Sequence, residues 1–130
     1  MKNEICLTLH IPTQTASTTD EWYVANPHKG VFRVKEIKFA PATAVAIDAT
    51  NVLTSTVTVN DGAGGAFSSA IASHTTLTGG NALALGTTLD LSLTQVVDVQ
   101  EGYQFKFAKT VGGTGAILDG TYSVLLEKIG

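Results

Sequence analysis

The stretch "VFRVKEIKFAP", residues 31–41, decides how this chain can fold. Phe32 and Val34 lie two residues apart and share one face of a strand. Ile37 and Phe39 do the same, but on the opposite parity. A one-residue bulge near Lys35–Glu36 brings all four side chains to one face. The alternative is a strand whose two halves face different layers, as at a sheet corner. Both arrangements belong to packed sheets. Pro41, which has no N–H to give to a ladder, ends the run.

Outward from this stretch, alternation repeats along the chain. Ile5, Leu7, Leu9 and Ile11 alternate with Cys6, Thr8 and His10 up to Pro12. In "TSTVTVNDGAGG", residues 54–65, the threonines oppose Val57 and Val59, with Leu53 ahead of them, and Asn60-Asp61-Gly62 turns the chain. Leu89, Leu91 and Leu93 alternate strictly, then Tyr103, Phe105 and Phe107, then Tyr122, Val124 and Leu126. The expected core is Phe32, Val34, Ile37, Phe39, Val57, Val59, Leu89, Leu91, Leu93, Phe105, Phe107, Tyr122, Val124 and Leu126. Residues 66–86 are weakly patterned and leave room for one short edge strand or one helical turn. No capped segment of ~10 residues with a 3.6 period is present. The pattern predicts an all-β protein, an antiparallel β-sandwich or jelly-roll-like fold of seven to eight strands. "TQTASTTD", residues 13–20, lacks periodicity, so residues 1–29 read as an N-terminal strand and extended arm. Residues 30–130 read as the sandwich domain.

The 130 residues suit one domain. Charged residues make up 15%, where about 25% is usual, so Thr, Ser, Gly, Asn and Ala must cover much of the surface. Such a surface suits a chain packed against partners. The formal net charge is −3, and the tightest basic grouping is Arg33, Lys35 and Lys38. That grouping is too small for a nucleic-acid partner. The first residues lack a signal peptide's apolar core, and no apolar run reaches the ~18 residues of a membrane span. The expectation is a chain made in a cytosol, with no membrane partner.

Catalytic signals are missing. Cys6 cannot form an internal disulfide and is expected to be a small, half-buried residue. His10 shares its strand face but stands roughly 13 Å away, too far for a dyad. His10, His28 and His74 lie in separate segments and read as polar surface residues. "DGAGG" lacks the ligands of a calcium loop, and "GGTG" at 112–115 lacks the lysine and helix of a phosphate cradle. The expectation is no enzyme, no metal, no cofactor and no catalytic residue.

Three stretches, "GVFRVKEIKFAPATAVAIDATN…TSTVTVND", "LDLSLTQVVDVQEGYQFKFAK" and "GGTGAILDGTYSVLLEKIG", together resemble small β-sandwich virion proteins of tailed bacteriophages. The resemblance covers about residues 30 to 130 and carries over no functional residue. It implies a capsid decoration (cement) protein on the outer surface of a virion, assembled in the host cytoplasm, with the major capsid protein as partner. It also implies a homo-oligomer, a trimer first and a dimer next. The candidate interface is Ile5, Leu7, Leu9, Trp22, Tyr23 and His28. Competing classes are other virion components (a head-fibre base, a tail or a baseplate protein) and a carbohydrate-binding module displaying exposed aromatics.

Overall fold

The computed structural model describes residues 3–130; Met1 and Lys2, the start of the expected arm, lie outside the described residues. Nine strands and no helix occur among them. They are β1 (Glu4–Ile11), β2 (Asp20–Ala25), β3 (Phe32–Pro41), β4 (Val52–Asn60), β5 (Ala72–Thr75), β6 (Leu89–Leu91), β7 (Asp98–Val99), β8 (Gln104–Gly112) and β9 (Gly120–Lys128). One antiparallel sheet has the order β1-β9-β3-β6, with β7 also on β3, and the other has the order β2-β8-β4-β5.

β6 and β7 explain why nine strands appear where seven to eight were expected. Leu89–Leu91 pairs with Ile37–Phe39, and Asp98–Val99 pairs with Phe32–Arg33. They are two pieces of one strand against the same edge of β3, interrupted by residues 92–97. With the two pieces joined, every connection but β4–β5 crosses between sheets, as in an eight-stranded jelly roll.

The bulge reading of residues 31–41 is the one the structure adopts. Val34 pairs with Leu126 and Glu36 with Leu125, leaving Lys35 as the extra residue. Phe32, Val34, Ile37 and Phe39 are all buried. Without the bulge, Ile37 and Phe39 would point to solvent. The rest of the expected core is buried too, except Leu89 and Leu93, which are half-buried against it. Phe39 and Tyr122 on one sheet and Phe107 on the other form a tilted aromatic stack with centroid spacings of 4.6 Å and 4.6 Å. Such pairs add about 0.5–1.5 kcal/mol each beyond burial. The connections contribute Val45, Ile71, Leu83 and Leu118 to the same core.

The expected arm is part of the sandwich. β1 pairs with β9 from Glu4↔Glu127 to Ile11↔Gly120, and β2 pairs with β8 from Asp20↔Lys109 to Ala25↔Gln104. The chain crosses from one sheet to the other through residues 12–19, and that crossing is clasped by Gln14. Its Oε1 accepts from Leu118 N at 3.0 Å and Lys109 Nζ at 3.2 Å, while its Nε2 donates to the Leu118 and Pro12 carbonyls. A crossing over the end of a sandwich is polar because it cannot bury its backbone. That is why residues 13–20 read as a linker.

Candidate functional site

The two sheets present different outer faces. On the β1-β9-β3 sheet, a row runs Glu4, Glu127, Arg33, Asp98, and a second runs Thr8, Ser123, Lys38, Asp90. Arg33 holds Asp98 with two hydrogen bonds, Nε to Oδ1 at 2.8 Å and Nη2 to Oδ2 at 3.2 Å. These bonds keep the Asp98 carboxyl below its ordinary pKa. Lys38 lies 3.6 Å from Glu36.

The β2-β8-β4-β5 sheet is nearly uncharged outside. Its rows are Glu21, Ala108, Thr56, Ser73, then Thr110, Thr54, Thr75, then Tyr23, Lys106, Thr58. Among the described strand residues of this face only Glu21 and Lys106 are charged, and Lys106 Nζ rests 4.5 Å above the Phe67 ring. Thr54 and Thr75 join hydroxyls at 3.0 Å. β-branched threonine fits a pleated surface while leaving it polar. The result is a face of mostly small polar side chains, bordered by Tyr23, Phe67 and Lys106, with β8 and β4 in the middle of the sheet.

The six candidate interface residues do not come together. Leu7 is buried in the core, and Ile5, Leu9 and Trp22 pack half-buried against it. Their side chains point inward because alternation, not exposure, put apolar residues there. Tyr23 is 50% exposed on the outer face of its sheet, and His28 is exposed in the β2–β3 connection, edge-on to Phe32 at 6.2 Å. What β1 shows to solvent is the other parity: Glu4, Cys6, Thr8 and His10 are exposed. Cys6, expected to be half-buried, is exposed for that reason. Tyr23 is the one large aromatic among the exposed hydrophobic residues described. It is tilted 49° to Phe67, and its hydroxyl donates to Glu21 at 2.6 Å. The coplanar aromatic platform of a glycan site is not formed there.

The interior holds polar groups, one of which, His74, was expected outside. His74, expected on the surface, is 6% exposed and stacks on Phe39 at 6.1 Å. Neither ring nitrogen has a hydrogen-bond partner, and burial pushes its pKa down to about 4. Ser55, its neighbour across β4 and β5, shares a hydrogen bond with the buried Tyr122 hydroxyl. Burial raises the Tyr122 pKa, and the bond to Ser55 offsets part of that rise. Lys109 is buried with its ammonium on Gln14 Oε1 and the Thr15 carbonyl at 3.0 Å. Desolvation lowers its pKa, against the attraction of Asp20 on the neighbouring strand.

A cleft of about 390 Å³ opens where β6 breaks from β7, between Arg33–Lys35 and Leu93–Val96. The Arg33 head is taken up by Asp98. No group of three or more His, Cys, Asp or Glu able to hold a metal occurs among the described residues, and no helix there is long and apolar enough to cross a membrane.

No protein-family model matches the chain, and no curated protein matches it. Among solved structures, the chain is similar to one of Bacillus endospore appendages, described as disulfide-linked pili. The identity is 16% and the TM-score 0.36, over 98% of this chain and 86% of that one. It is also similar to a CocE/NonD family hydrolase from Staphylococcus aureus, at 9% identity and a TM-score of 0.40 over 98% of this chain and 37% of that one. A third likeness is to infectious bursal disease virus, at 11% identity and a TM-score of 0.39 over 99% of this chain and 38% of that one. The chain spans less than two-fifths of the length of the latter two.

Proposed function

We propose that this protein is a non-enzymatic structural component of a tailed-phage virion, bound to the outer surface of the capsid, where it cements neighbouring capsomers. The observation that carries the reading is the charge-poor outer face of the β2-β8-β4-β5 sheet, which bears only Glu21 and Lys106 among its described strand residues. Thr54, Thr56, Thr58, Ala108 and Ser73 form a surface of small side chains flanked by only two charges, Glu21 and Lys106, so fewer ions have to be stripped of water there than on the opposite sheet. A face of this kind suits broad contact with another protein, while the charged face of the opposite sheet keeps the particle exterior soluble. The resemblance of residues 30–130 to phage virion sandwiches supplies the partner class, the major capsid protein. The aromatic stack and the Ser55–Tyr122 bond tie the two sheets together, as a part that must transmit load between capsomers requires.

The test is co-sedimentation of the purified chain with undecorated capsids of the virus that encodes it, using wild type and the pair Thr56→Lys, Ala108→Glu. Both changes sit on the outer face and leave the core untouched. Wild type is expected to pellet with capsids, and the variant to remain folded by circular dichroism yet stay in the supernatant. A wild-type chain that ignores capsids refutes the role. A variant that binds as well as wild type refutes the assignment of this face.

A further inference from the structure

We infer that two copies of this chain associate through their β1 strands, edge to edge about a two-fold axis, so that the two β1-β9-β3 sheets become one continuous sheet. The inference concerns the isolated protein and does not depend on a place on a capsid.

β1 is an edge strand that pairs with β9 alone. Lys128 N donates to Asn3 O at 2.8 Å, which makes Asn3 and Lys128 a hydrogen-bonded pair of the ladder. In an antiparallel ladder such pairs alternate with pairs whose polar groups point away. Ile5, Leu7, Leu9 and Ile11 therefore spend their backbone groups on β9. Glu4, Cys6, Thr8 and His10 direct theirs to the open edge, and these four residues are the exposed ones of the strand.

The devices that keep edges from pairing stand only at the ends of β1, Glu4 at its start and Pro12 just beyond it. It is 8 residues long, carries no lysine or proline, and keeps an unbroken register with β9. The other edges are blunted. β5, β6 and β7 have 4, 3 and 2 residues. β2 has 6 residues, against 8 in β1, and two acidic residues, Asp20 and Glu21, against the single Glu4.

The occupant follows from the order of side chains along β1 itself. Apolar faces stay on one side only in registers whose paired residue numbers sum to an even value. With the sum at 14, Leu7 meets Leu7 of the second copy once, on the axis, while Ile5 meets Leu9, Cys6 meets Thr8, and Glu4 meets His10, each twice. This register opposes the strand's acidic residue with its imidazole at both ends and has no like-charged pair. It places all four free N–H groups opposite free carbonyls. A shift by two residues either way separates Glu4 from His10. A second copy of this chain therefore satisfies the edge completely, as an isologous contact does. Of the oligomers expected from the sequence, this geometry selects the dimer.

Thr8→Pro removes one edge-facing N–H and none that β9 uses. Sedimentation equilibrium of the wild type is expected to show a monomer–dimer equilibrium. Thr8→Pro, folded by circular dichroism, is expected to weaken it roughly thirtyfold or more, through two hydrogen bonds related by the two-fold. Glu4→Lys is expected to weaken it as well, and Glu4→Lys with His10→Glu to restore it. A monomer at every concentration, a dimer indifferent to Thr8→Pro, or a charge swap without rescue overturns the inference. Should Thr8→Pro not fold, the unaltered chain decides. Cys6, its sole cysteine, then stands diagonally from its mate at roughly 7–8 Å. A short bis-maleimide joins two chains if the pairing exists and leaves single chains if it does not.

Discussion

Substituting His74 by leucine exchanges a buried, unpartnered imidazole for an apolar side chain of similar volume. The ring's pKa falls from the ordinary 6.5 to about 4 on folding. Between those values the unfolded chain takes up a proton that the folded chain refuses. Stability is therefore complete above about pH 6.5 and is lost as pH falls toward 4. At 1.36 kcal/mol per pKa unit, the loss attributable to His74 is about 2–3 kcal/mol at roughly pH 4.5. Carboxylates lose their own contributions in the same range, so the informative quantity is the difference between the two proteins. Urea unfolding followed by the fluorescence of Trp22, the single tryptophan, measures it at about pH 7.5 and 4.5. Wild type is expected to lose about 2–3 kcal/mol more than His74→Leu, a midpoint shift on the order of 1–2 M urea. Near neutrality the variant is expected to equal or exceed wild type, because two buried nitrogens without partners are gone. Parallel losses, differing by less than about 0.5 kcal/mol, would show that His74 is hydrated or paired and refute the reasoning.

Two further outcomes concern stability. Gly62 holds a φ of +74°, and a Cβ there would run into the Gly102 carbonyl oxygen; Gly62→Ala is expected to cost more than about 2 kcal/mol in thermal or urea unfolding, and a neutral result would mean that the turn rearranges freely. Gln14→Ala strips the buried Lys109 ammonium of one acceptor and the Leu118 N–H of its partner. It is expected to cost about 2–4 kcal/mol, part of which Lys109→Met restores when added, so a double-mutant cycle with no coupling would rule out the clasp.

Parity carried most of the fold. The switch between Val34 and Ile37 was readable as a bulge because both flanking pairs were large and apolar. The same rule already placed Cys6 outside, opposite Leu7 and Leu9, and Lys109 inside, two residues beyond Phe107. The expected half-burial of Cys6 rested on residue type and missed this. His74 was illegible for a different reason: its inward neighbour is Ala72, too small to mark a face. Val45, Ile71, Leu83 and Leu118 are single apolar residues in irregular segments that plug the ends of the sandwich, where no period exists to announce them. The charge-poor outer face was foreshadowed by a low charge fraction, but its location required the pairing of β4 with β5 and β8. The open edge of β1 likewise became visible only once β9 was known to occupy the other side.

The position of β9 has a consequence for how the protein comes into being. This strand lies between β1 and β3, joining Glu4 to Glu127 and Pro41 to Gly120. Until Gly120–Lys128 has left the ribosome, the sheet has no spine, and β1 waits with its apolar side chains uncovered through the synthesis of more than a hundred residues. Contacts this distant along the chain close slowly. The nascent protein thus depends on holding the first strand out of trouble, by chaperone or by speed, until the partner that completes it arrives.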